Sequence, residues 1–155
     1  MATRKKLSRS HCPVNYGLEI FGDKWSLLIV RDIVFTGKKT YGEFLESDEG
    51  IATNILADRL AHLEGTGILI KKRHTTDKRK EVYFLTEKGL DLIPILLDLA
   101  TWGAKHDPQP GAPQAWLAMV AADRDNIIQQ VRETVLSGGS IFAGEDSLFS
   151  KLLAA

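Results

Sequence analysis

Residues 40–89 read TYGEFLESDEGIATNILADRLAHLEGTGILIKKRHTTDKRKEVYFLTEKG, and the order of patterns within them decides the fold. Thr40, with Glu43 three residues later, forms a capping-box signature that opens a short helix through Leu45. After the polar turn SDEG (47–50), Leu56, Leu60 and Leu63 recur at helical spacing over a helix expected at residues 51–63, with Gly65 and Gly67 ending it. A short helix, a tight turn and a longer helix make a helix-turn-helix. Two strand-like runs follow, ILIKKR (68–73) and KEVYFL (80–85). The intervening HTTDKR is longer than a two-residue hairpin turn and lacks glycine, so it predicts a projecting loop.

Outward from this segment, Pro13 can start a helix bearing Val14, Leu18 and Phe21, ended by Gly22. Asp23 is the expected N-cap of KWSLLIVRDIVF, with Trp25, Leu28, Ile29 and Ile33 on one face and Gly37 as its stop; both helices are expected to be core. On the other side, Thr86 caps a helix bearing Leu90, Ile93, Leu97 and Trp102, in which Pro94 predicts a bend. HDPQPGAP (106–113) is rich in breakers and divides residues 1–107 from 108–155. Beyond it, Leu117, Val120, Ile127, Val131 and Val135 predict one long amphipathic helix ending at SGG (137–139). The expected fold class is mostly α with a small β-hairpin.

With 155 residues and 44% hydrophobic composition, the chain can bury one ordinary core. A single cysteine, Cys12, excludes an internal disulfide. No apolar run approaches the ~20 residues of a membrane span, and the basic start MATRKKLSRSHCP has no apolar stretch behind it, so a cytoplasmic protein without a membrane partner is expected. His11, His62, His74 and His106 lack metal-ligand spacing. No glycine-rich phosphate loop or paired-carboxylate motif is present; neither an enzyme, a metal nor a cofactor is expected.

Formal charge sums to zero, yet six of the twenty Lys and Arg fall within residues 71–80, where Asp77 alone is acidic. Arg4, Lys5, Lys6 and Arg9 form a second basic group. A solvated turn explains the first cluster in isolation; beside a helix-turn-helix it fits a wing reaching DNA phosphates, while the 51–63 helix enters the major groove. With the leucines inward, Asn54, Ala57, Asp58 and Ala61 point outward and Thr53 lies at the edge. Asn54 can pair with adenine, and Ala57 or the Thr53 methyl can pack on thymine. Asp58 is awkward near phosphates unless it accepts from cytosine or pairs with a cation. Arg59 reads equally as a phosphate contact or a structural ion pair. Trp25, Trp102 and Trp116 read as core or dimer-interface residues rather than ligand-stacking ones.

The motifs CPVNYGLEIFGDKWSLLIVRDI, YGEF, GIATNILADRLAHLEGTGIL, VYFLTEKG and LATW, spread from Cys12 to Trp102, resemble in order and spacing the HxlR-type winged-helix transcriptional regulators, which are MarR-like. The resemblance implies a winged helix-turn-helix with N-terminal and C-terminal dimerisation helices. It also implies a homodimeric regulator, more often a repressor, reading a partly palindromic operator in double-stranded DNA. It places the recognition helix at 51–63 and the wing at 73–80. The candidate DNA-facing set is Thr40, Thr53, Asn54, Ala57, Asp58, Arg59, Arg73, Lys78, Arg79 and Lys80. The family commonly has Arg where Thr40 stands, and Lys38 and Lys39 are candidate substitutes for that phosphate contact. The resemblance also marks Cys12 as a candidate redox or electrophile sensor; its neighbours Arg9 and His11 and a helix start favour a thiolate. Other readings remain open: a small aromatic effector held between the core and the C-terminal helix, or a winged-helix module that binds protein instead of DNA. The extension from Pro108 to Ala155 is longer than a typical member needs, and its helix has no family assignment; it is read as serving dimerisation or effector response.

Overall fold

The computed structural model describes residues 9–155; the basic group Arg4, Lys5 and Lys6 lies outside the described residues. Helix α1 (Pro13–Phe21) starts at its proline, and Gly22 closes it by donating to the Leu18 carbonyl at 2.8 Å. Only Ile20 of this helix is buried. The expectation that α1 is core is corrected here: Val14 and Leu18 are 69% and 53% exposed, because the helix lays only one edge on the domain.

Helix α2 (Ser26–Thr36) is the central strut, with Ile29, Val30, Ile33 and Val34 all buried. Asp23 stands further from this helix than a standard N-cap, but its carboxylate does a cap's work. It accepts from the amides of Trp25 and Ser26, each at 2.9 Å, and from the Ser26 hydroxyl at 2.6 Å. Burial opposes ionisation of Asp23, but these bonds and the nearby Arg59 charge outweigh it and hold the carboxyl below its ordinary range. Gly37 ends α2 at φ +70°, where a side chain would be strained.

Helix α3 (Tyr41–Leu45) opens with the complete capping box of Thr40 and Glu43. Helix α4 (Thr53–Gly65) starts two residues later than the periodicity indicated, with Leu56, Leu60 and Leu63 buried as expected. Strands β1 (Leu69–Arg73) and β2 (Glu81–Leu85) form an antiparallel hairpin in which Leu69 pairs with Leu85 and Arg73 with Glu81. The fold is a winged helix-turn-helix, mostly helical with a two-stranded hairpin.

Thr86 caps a single turn, α5 (Glu87–Leu90), and the chain restarts as α6 (Ile93–His106). The bend expected at Pro94 is therefore a break before it. A proline cannot donate to the preceding turn and clashes with it, and Pro94 is accommodated in the first turn of α6, where no donor is needed. Gly89 permits close approach to the hairpin, since a Cβ there would lie 2.4 Å from the Ile68 carbonyl oxygen.

The single long C-terminal helix is also corrected. Asp123, at φ −153° and ψ 72°, separates α7 (Gln114–Ala122) from α8 (Arg124–Leu136) and caps the latter by accepting from the Asn126 amide. A short α9 (Leu148–Ala154) follows, which the periodicity did not reveal. Residues from both sides of position 108 share one continuous core: Trp116, Val120, Ile127, Val131 and Ile141 are buried with the winged-helix residues. The amides of Ile141 and Phe142 donate to the carbonyls of Val34 and Phe35 at 3.0 and 2.8 Å, stitching the extension to the end of α2. Phe35, Trp116, Phe142 and Phe149 complete this junction through edge-on ring contacts. Among the described residues no helix is long and apolar enough to cross a membrane.

Candidate nucleic-acid interface

Helix α4 divides into a buried leucine face and an exposed face of mostly short side chains, with Ile55 also exposed. With Leu56, Leu60 and Leu63 fully seated, Thr53, Asn54, Ala57, Asp58 and Ala61 are all exposed. The helix begins on Ala52, whose side chain caps nothing, and its first turn holds no acid, so the positive end of the helix dipole is not offset locally. The Tyr41 hydroxyl donates to the Thr53 carbonyl at 2.9 Å and sets the entry of α4 against α3. Sequence reasoning missed this role; the YGEF motif was its only signal.

Asp58 is paired. Arg59 donates to its carboxylate at 2.7 and 3.1 Å and reaches Asp23 at 3.3 Å. The Asp58 bond first, and the charges of both acids with it, raise the Arg59 pKa despite partial burial. The geometry places Arg59 in an ion pair, one of the two readings open for it. It also neutralises the carboxylate that sat awkwardly on the outward face.

The wing tip organises itself. The His74 amide donates to the Lys80 carbonyl at 2.9 Å, and His74 Nδ1 accepts from the amides of Thr76 and Asp77, each at 3.2 Å. Asp77 accepts from the Arg79 amide at 3.1 Å and from its guanidinium at 3.2 Å, so it both turns the loop and tempers its charge. The Arg79 bonds hold the Asp77 carboxyl below its ordinary range. Arg73, Lys78 and Lys80 are exposed and form no ion pair among the described residues. Lys71 is engaged instead by Glu64 and Glu81, at 3.8 and 3.7 Å, and Lys72 lies 5.4 Å from the Phe84 ring centroid.

Thr40, Arg73, Lys78, Arg79 and Lys80, distant in sequence, line one cleft of about 680 Å³ between the start of α3 and the wing. The Thr40 side chain is occupied by its cap. The two lysines considered as its substitutes are also engaged: Lys38 donates to Ser47 Oγ at 2.8 Å, and Lys39 reaches the Gly138 carbonyl at 3.4 Å. The Lys39 backbone carbonyl accepts from the Tyr83 amide at 2.8 Å, which ties the wing to the start of α3.

Cys12 is exposed and immediately precedes Pro13 at the start of α1. The neighbouring Arg9 guanidinium donates to Asn15 at 2.7 Å and lies 3.6 Å from the Glu19 carboxylate. Two apolar patches stand uncovered: Val14 and Leu18 on α1, and Ile95, Leu99 and Trp102 on α6; Tyr16, on the other side of α1, accepts from Lys88 Nζ at 2.8 Å. Trp102 is 65% exposed and so is not core, whereas Trp116 is buried.

The HxlR-like helix-turn-helix family model matches residues 20–110, more than half of the chain. The HTH-type transcriptional regulator Rv3095 of Mycobacterium tuberculosis is 34% identical over 100 residues, covering 64% of this chain and 62% of the relative. The chain therefore spans less than two thirds of that relative's length. The crystal structure of PA1607 is 37% identical, with a TM-score of 0.62 over 69% of this chain and 73% of that one. The redox regulator HypR in its oxidised form is 29% identical, with a TM-score of 0.56 over 63% of this chain and 100% of its own. The matched region holds α2 to α6 and the whole wing, and with it the helix-turn-helix geometry just described: the chain belongs to the HxlR-like helix-turn-helix family.

Proposed function

We propose that the protein is a sequence-specific DNA-binding transcriptional regulator that acts in the cytoplasm as a homodimer, a repressor on a partly palindromic operator. The observation that carries this reading is the exposed, small-residue face of α4 in the same chain as a wing that carries three unpaired cations. Asn54, with Thr53 and Ala57 beside it, reads bases. Arg73, Lys78, Arg79 and Lys80 contact phosphates, and Thr40, Asp58 and Arg59 position α3 and α4. Residues 1–107 form the DNA-binding part, and 108–155 form an extension serving dimerisation or effector response. Dimerisation covers the apolar stripes of α1 and α6 and spaces the half-sites by roughly 34–36 Å or a multiple. A protein-binding winged helix draws its support from the neutral net charge and from Asp58 on the outward face, and the Arg59 pair weakens the second of these.

Selection of bound fragments from random DNA at two salt concentrations tests the reading. Asn54→Ala should relax base preference at its position, worth roughly 1–3 kcal/mol of discrimination. Lys78→Ala should weaken binding to every sequence alike and reduce the slope of log K against log salt by about 0.9. Uniform loss in all variants with preference unchanged would sink the assignment of α4.

Cys12 is the proposed redox-responsive residue: its thiol is exposed at the edge of the uncovered α1 stripe, and a solved relative is a redox regulator. A mild oxidant should give a covalent dimer on a non-reducing gel and change DNA affinity. The same behaviour from Cys12→Ser would overturn the role.

A further inference from the structure

A cleft of about 650 Å³ opens between the helix-turn-helix and the extension that the family model does not cover. That volume falls within the roughly 300–1,000 Å³ of small-molecule sites. Its walls differ in chemistry. Phe35, Trp116, Leu117 and Phe142 form an apolar wall, with Phe142 edge-on to Phe35 at 5.7 Å and to Trp116 at 5.4 Å. The turn between α3 and α4, residues 46–49, forms the polar wall together with Arg31, Asp32 and Lys38.

Both cations of the polar wall are already engaged. Arg31 donates to Asp32 at 2.7 Å and to Glu49 at 2.9 Å, and Lys38 donates to Ser47, whose hydroxyl in turn donates to Asp32. Glu46 and Asp48 are exposed and make no ion pair or side-chain hydrogen bond among the described residues. An anion entering the cleft thus finds no unpaired partner and two like charges, whereas a cation finds two carboxylates and aromatic rings.

We propose that this cleft binds a flat aromatic molecule bearing a positive charge, its ring system against Phe35, Leu117 and Phe142 and its cationic group toward Glu46 and Asp48. The turn that supplies these carboxylates leads directly into α4, and it is held to α2 by the Arg31–Glu49 pair and the Ser47–Asp32 bond. Drawing the turn toward the extension alters how α4 is seated, so occupancy changes DNA affinity. This last consequence rests on the DNA-binding reading; the site itself does not.

Calorimetric titration of the full chain with two probes of the same ring and opposite charge, 1-naphthylmethylammonium and 1-naphthoate, tests the site. The cation should bind at least tenfold more tightly. Glu46→Gln combined with Asp48→Asn, both at exposed positions, should abolish that preference with the melting temperature unchanged. Ala112→Trp, at the cleft wall, should prevent binding of both probes while circular dichroism stays the same. Equal binding of the two probes, or cation binding unchanged in Ala112→Trp, would overturn the site. In parallel, saturating 1-naphthylmethylammonium should shift the affinity for a selected DNA fragment at least fivefold. Tight cation binding with DNA affinity unmoved would overturn the coupling. Failure to bind any DNA, with the charge preference intact, would instead overturn the regulator reading and its dependent coupling, leaving the site supported.

Discussion

Glu49 illustrates how much one ion pair can settle at the scale of a residue. The Arg31 bond is the main reason its carboxyl is held at about 2, against an ordinary 4.5, with partial burial opposing the shift. A carboxylate with a depressed folded-state pKa contributes stability that is fully present above its unfolded pKa and is lost as pH falls through the folded one. The contribution therefore fades between about pH 4.5 and 2. Replacing Glu49 by Gln should lower the melting temperature at neutral pH and flatten its decline through that window, as measured by thermal denaturation across pH. An unchanged acid limb would mean that the pair contributes nothing to folding. Thr40→Ala is a second test at this scale. Its side chain accepts from the Glu43 amide, so its loss should cost about 1 kcal/mol in denaturant unfolding.

The wing is the element whose order rests most clearly on a few polar groups. Its strands bury little beyond Leu69 and Tyr83, so the shape of the tip depends on His74 and Asp77 rather than on packing. His74→Ala removes the acceptor for the Thr76 and Asp77 amides. Amide exchange at Thr76, Asp77 and Arg79 should accelerate while exchange in α4 stays as it was. DNA affinity should fall for all sequences alike, because a mobile loop must be ordered on binding. Helix α6 makes the complementary case: it is well packed through Ile93, Leu96 and Leu97, yet it carries an uncovered stripe ending at Trp102. If the proposed dimer uses this stripe, wild type should sediment as a dimer and Trp102→Glu as a folded monomer in analytical ultracentrifugation.

For the whole molecule, the decisive feature is that the winged helix and the extension after residue 108 share one core. Helix α8 packs on both α2 and α6, and Ile141 is fully buried beside Val34. A chain ending at residue 107 would leave that surface of α2 and α6 in water, and it should lose its cooperative thermal transition even though the family model ends close by. A milder probe is Ile141→Ala, expected to cost about 2–5 kcal/mol and to lower the melting temperature by several degrees in calorimetry. Retention of full stability by either variant would show that the extension is an appendage.

Local pattern was enough to determine the helix-turn-helix, the capping box at Thr40, the inward leucines of α4, the hairpin and the projecting basic loop. Each of these depends on periodicity or on hydrogen bonds spanning a few residues. Pro94 signalled a bend but not a full break, and the break at Asp123 was not legible, because apolar spacing continues across both. Other features required the folded chain. That Arg59 reaches Asp23 as well as its sequence neighbour Asp58 depended on the domain bringing Asp23 to it. Whether Trp102 and Val14 lie inside or outside depended on which helices pack over them, and an apolar residue reads the same either way. The cleft beside the 46–49 turn exists only because residues beyond 110 return to the end of α2. Sequence specifies which groups can pair or bury; only tertiary packing selects the distant partner, because that choice is made by proximity in space.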